Sequence, residues 1–127
     1  EESIWIGEPF MIDYKDPIPP LFQFFDSRLD INVYGNQWIN PTLPALLVKN
    51  AGGNDYTRVQ LLARSNTDYE AMSVLIQAMN LLERYASSIS GLQVVWCEKE
   101  SNPIPSQDVD TGKPEAWCYM RLEHLEA

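Results

Sequence analysis

The sequence predicts an α+β domain: a mostly antiparallel sheet of about four strands, one long and one shorter helix packed on it, and a long loop before the last strand. Three observations carry this expectation. Apolar residues between 71 and 85 recur at steps of three and four, the spacing of one helix face. The stretches on either side of Gly52-Gly53 run apolar or alternate, as strands joined by a turn do. The patterns follow one another as helix, strand, strand, helix, strand, long loop, strand. A chain of 127 residues is one domain, 1–127, with a single core.

The first element is an arm over residues 1–15. In IWIGEPFMIDY, Ile4, Ile6, Phe10 and Ile12 are apolar, while Gly7 and Pro9 interrupt them. A terminal arm stays ordered only when something ties it down, and another subunit is one such anchor. A short helix is expected from about Pro19 to Leu29. Pro17 and Pro20 suit a first turn, which needs no backbone donors, and Asp16 is the candidate cap. Leu21, Phe22, Phe25 and Leu29 then recur at helical spacing. NVYGNQWINPTLP is rich in turn residues, with Val33 and Tyr34 as a brief extended piece.

Leu43 to Lys49 reads as a strand buried on both faces. AGGND is a hairpin turn. The returning strand begins at Tyr56 and puts Val59, Leu61 and Ala63 on one face, with Arg58, Gln60, Leu62 and Arg64 on the other. Thr67 and Glu70 form a capping box. The long helix that follows runs to about Ser87 and buries Ala71, Leu75, Ala78, Leu82 and Tyr85, widened by Val74 and Met79. At roughly 1.5–3 kcal/mol per fully buried large side chain, this face contributes several kcal/mol. Gly91 ends the helical region, and Leu92 to Glu98 is the third strand. In the last strand Ala116, Cys118, Met120 and Leu122 point one way, and Trp117, Tyr119, Arg121 and Glu123 the other.

Composition removes several function classes. The formal net charge is −9, and the nine basic residues form no run, which argues against non-specific nucleic-acid binding. The start shows no basic region followed by an apolar run, and no apolar stretch approaches membrane length. The expectation is a soluble protein made in a reducing cytosol. Cys97 and Cys118 read as a cross-strand disulfide or as buried free thiols, and packing as small hydrophobes favours the second. His124 is the single histidine and has no evident nucleophile beside it. No Gly-x-Ser-x-Gly elbow is present. Gly52-Gly53 lies between strands, where it cannot open a helix as a phosphate cradle does. No catalysis, cofactor or metal is expected.

The segment 98–115 contains SNPIPSQDVDTGKPEAW without its final residues and shows no regular period; loops this long are usually functional or disordered. Asp108 and Asp110 flank Val109 in the manner of a calcium loop's opening, but no later acidic ligand follows at the right distance. Ordinary turn chemistry for Asp110-Thr111-Gly112 is the favoured alternative. Trp117 and Tyr119 put bulky groups on the second face of the last strand, where an exposed aromatic surface would mark an interface.

LPALLVKNAGGNDYTRVQLLAR, TDYEAMSVLIQAMNLLE and GLQVVWCEKESNPIPSQDVDTGKPEAWCYMRLEHL together resemble the tail terminator and minor capsid proteins of long-tailed bacteriophages. Pro44, Gly52-Gly53, Arg64, Tyr69-Glu70, Pro103 to Pro105, Asp110 and Gly112 occupy the matching places. The likeness runs from about Leu21 to Leu125. It implies a virion structural protein of the tail or neck, made in the host cytoplasm and not an enzyme. Such chains form a homo-oligomeric ring, commonly a hexamer, on the head-proximal end of the tail tube. The ring ends tube polymerisation and joins the tail tube protein to the head connector or stopper protein, while DNA passes through without specific binding. A ring needs a heterologous interface. Asn102, Pro103, Ile104, Pro105, Asp108, Asp110, Thr111, Gly112, Trp117 and Tyr119 are the candidate contacts for neighbours, in a segment whose prolines lower its freedom before docking. Another neck or head-completion protein, or a small ligand-binding domain, is the alternative.

Overall fold

Helix α1 covers Ile18–Arg28, one residue earlier than expected, because the Asp16 carboxylate accepts the Ile18 amide at 3.0 Å. The computed structural model describes residues 15–54 and 56–125; the strand or arm expected over 4–14 lies outside them. Six strands follow or flank the helices: β1 (Asn32–Gly35), β2 (Ala45–Asn50), β3 (Thr57–Arg64), β4 (Gln93–Lys99), β5 (Ile104–Gln107) and β6 (Pro114–Leu125). The long helix, α2, is Asp68–Tyr85, and a 3-10 turn over Ala86–Ser88 extends it.

The strands form one mixed sheet in the order β1-β2-β3-β6-β4, with β5 beside β6. Among the described residues only the β1–β2 pair is parallel. The expected count of about four strands is therefore too low by two. One addition is β1, the extended piece at Val33 and Tyr34. The other is β5, inside the segment expected to be a loop. β5 had no pattern to betray it: all four of its residues are exposed, so it buries no apolar face. Its pairing comes from β6, which is long enough to hold β5 along Pro114 to Trp117 and β4 along Met120 to Leu125, on the same edge.

The core lies between one face of the sheet and the two helices. α1 rests on β1 and β2, and α2 on β6, β3 and β4. Val59, Leu61 and Ala63 of β3 and Ala116, Cys118, Met120 and Leu122 of β6 are buried, as the alternation requires. From α2, Ala71, Val74, Leu75, Ala78, Met79 and Leu82 meet them. Tyr85 departs from the expected stripe: it is 44% exposed, and Ala86 takes the buried place as the helix tightens. Thr67 caps α2 by accepting the Glu70 amide at 3.1 Å. The Glu70 carboxylate takes the Ser65 hydroxyl, which ties the cap to the end of β3.

The β2–β3 hairpin closes across the predicted turn, where Gly52 and Gly53 both have positive φ. A Cβ at Gly53 would sit 2.1 Å from the Tyr56 carbonyl oxygen, so no other residue fits there. Both cysteines are free: Cys118 is buried against Met79, with the sulfurs 3.8 Å apart, and Cys97 is half-buried.

Candidate functional site

Among the described residues, no helix packs on the second face of the sheet. Cross-strand register lines up one residue from each of five strands on it: Ile104, Trp117, Leu62, Leu47 and Tyr34. These form an apolar row across the sheet. Leu47 is buried, Tyr34, Leu62 and Trp117 are half-buried, and Ile104 is 38% exposed. Trp117 meets Tyr119 edge-on, with ring centroids 5.4 Å apart.

Charged rows border this stripe, and each of their arginines is held in place. On one side the Arg64 Nε and Nη2 atoms each lie 2.8 Å from Glu115 Oε2, and Nη2 is 3.3 Å from Asp108 Oδ1. The guanidinium also stacks on Trp38, 4.7 Å from the ring centroid. On the other side Arg58 reaches Glu100 at 2.8 Å and lies 5.2 Å from the Tyr119 ring centroid. Arg121 stacks on Tyr56 at 4.0 Å and approaches Glu123 at 3.4 Å. Planar guanidinium groups cover aromatic faces well and keep their donors for carboxylates. The result is a surface whose side chains are ordered before anything lands on it. Trp38, Leu47, Lys49, Gln60, Leu62 and Arg64 line part of an open groove of about 500 Å³ there. The Trp38 Nε1 atom is buried against it with no hydrogen-bond partner.

The β5–β6 hairpin stands at the edge of this face. The Asp108 carboxylate accepts from the Thr111 amide at 2.8 Å and from its hydroxyl at 2.7 Å. The Asp108 carbonyl accepts the Gly112 amide, and the Asp108 amide donates to the Lys113 carbonyl. Gly112 has φ 73°, the left-handed conformation a glycine takes without strain. The Thr111 hydroxyl and amide, with Arg64 adding its charge, hold the Asp108 carboxyl below its ordinary pKa. The segment expected to be an irregular arm is thus a braced hairpin.

The expected contact residues divide three ways. Ile104, Trp117 and Tyr119 meet on the open face. Asp108, Thr111 and Gly112 build the turn, with Asp110 exposed on it. Pro105 faces the helix side, beside Tyr69, Met72 and Ile76 of α2, while Asn102 is exposed and Pro103 half-buried ahead of β5. Sequence reasoning missed Tyr34, Leu47, Trp38, Glu115 and the arginine clamps. The alternation of β3 already put Leu62 and Arg64 together; the pairing of β3 with β6 was the missing link. Nothing local marks Trp38, which arrives from the loop between β1 and β2, where Asn36 and Asn40 take positive φ.

The groups most suited to nucleophilic chemistry are poorly disposed for it. Burial, aided by Glu83 and Glu98, pushes the Cys97 thiol up to about 12. Burial and Glu83 raise Cys118 to about 11. Such thiols carry little thiolate at neutral pH. The His124 Nε2 atom lies 2.9 Å from the Thr57 hydroxyl oxygen, a contact between neighbouring strands. Among the described residues, no three His, Cys, Asp or Glu side chains gather as a metal site, and no helix is long and apolar enough to cross a membrane. No protein-family model matches the chain, and neither does any curated protein.

Proposed function

We propose that this chain is a virion structural protein, the tail terminator of a long-tailed phage. It forms a ring, a hexamer as is common in the family it resembles, at the head-proximal end of the tail tube, ends tube polymerisation and meets the head connector. The observation that carries this reading is the sheet face that neither α1 nor α2 covers, with its five-residue apolar row, beside a braced hairpin. A sheet with both described helices on one side, and braced aromatic and arginine side chains on the other, suits contact with protein. The resemblance over Leu21 to Leu125 supplies the particle. The net charge of −9 suits a wall past which DNA moves without being held.

Tail tubes assembled without the protein provide the test. They are expected to grow past normal length, and adding the purified chain restores the length and places a ring at one end in electron micrographs. Tubes of normal length that fail to join heads would instead identify another neck component.

A further inference from the structure

The turn of the β5–β6 hairpin and the far end of α2 each carry an exposed apolar group with an unmatched charge beside it. At the turn, Val109 is 94% exposed. Its neighbour Asp110 is exposed too, and no ion pair engages it among the described residues. The network around Asp108 braces the backbone of the turn, so docking it costs little backbone ordering. At the last turn of α2, Gln77, Asn80, Leu81, Arg84 and Tyr85 line a groove of about 310 Å³. Leu81 is half-buried, Tyr85 is half-exposed, and Arg84 stands at the surface without a carboxylate partner among the described residues.

These two features lie toward opposite ends of α2. The Lys113 ammonium donates to the Asn66 side-chain oxygen at 3.1 Å, and the Ser65 amide to the Pro114 carbonyl at 3.1 Å, which places the turn beside the start of α2. The Leu81–Tyr85 end of the groove lies in the last turns of α2, roughly 20–25 Å from the start of that helix at 1.5 Å per residue. A subunit therefore cannot fill its groove with its own turn. Two different patches, each with an apolar group and with charges of opposite sign, suit a heterologous contact that repeats from copy to copy.

We propose that Val109 of one copy seats in the Leu81–Tyr85 groove of the next, with Asp110 against Arg84. This contact rests on the ring reading above and specifies the partner as a second copy of this chain. Arg84 has a second part in it. A helix C-terminus repels a carboxylate, and the guanidinium reverses that field locally. The charge pair sets register and the apolar seat supplies attraction.

Charge exchange on the full chain tests the contact. Association is read by sedimentation velocity over a concentration series at low salt, with circular dichroism as the check on folding. Arg84→Glu and Asp110→Arg, both at exposed positions, are each expected to weaken association by about tenfold. The double variant is expected to recover most of that loss, and Val109→Ser to weaken association without rescue by either change. Single variants that associate like the wild type, while the wild type forms rings, would overturn this contact and leave the ring reading standing. A wild type that stays monomeric throughout, alone and on added tail tubes, would overturn both.

Discussion

Arg64 joins more of the open face than any other side chain there. Its guanidinium holds Glu115 and Asp108 and covers Trp38, and its side chain is only 10% exposed. Removing one partner of such a buried pair leaves the other charge desolvated and alone, which costs about 3–5 kcal/mol. Arg64→Ala is therefore expected to lower the urea midpoint sharply, while the double change Arg64→Met with Glu115→Leu recovers most of it. The cysteines respond to pH with a defined sign. Their folded pKa values, about 12 for Cys97 and about 11 for Cys118, exceed the ordinary 9.0. A group raised on folding stabilises fully below its unfolded value, and that contribution is lost as pH climbs toward the folded value. Stability should fall from about pH 9 upward, and Cys97→Ala should make the fall shallower in urea titrations between pH 8 and 10.5.

The long helix shows why some elements announce themselves and others do not. α2 combines a cap, a first turn with Asp68 and Glu70, and a stripe of period 3.6, so its chemistry and its burial point to the same residues. Leu75 is fully buried at the centre of that stripe. Leu75→Asp should exceed the ~2–5 kcal/mol of a Leu→Ala truncation, because it adds an unpaired charge to the cavity. Loss of the cooperative melting transition is the expected result. Both hairpin strands around Gly52-Gly53 and both faces of β6 were readable for the same reason. β5 was not, because an exposed edge strand is specified by its neighbour's backbone and leaves no apolar period. Tyr85 was misassigned because periodicity cannot see where an α-helix tightens into a 3-10 turn. For the candidate interface, Trp117 and Tyr119 could be named from alternation alone, but Leu47 and Tyr34 join them only through a register that sequence does not supply.

Among the described residues, the sheet has one face under the helices and a second that carries the apolar row and the arginine clamps. The hairpin belongs to the second, and it contributes little to the core, since Ile104 to Gln107 are exposed. Deleting Pro103 to Gly112 is expected to leave a folded domain with native circular dichroism that no longer forms rings by light scattering. A deletion variant that unfolds would place the hairpin in the core's support. The sheet order adds a constraint of timing. β6 lies between β3 and β4, although it follows both in the chain. Until its residues have left the ribosome, β3 and β4 have no common neighbour and the helices have no finished floor to rest on. The sheet and the helices on it therefore close only once β6, the last strand in the chain, has been made.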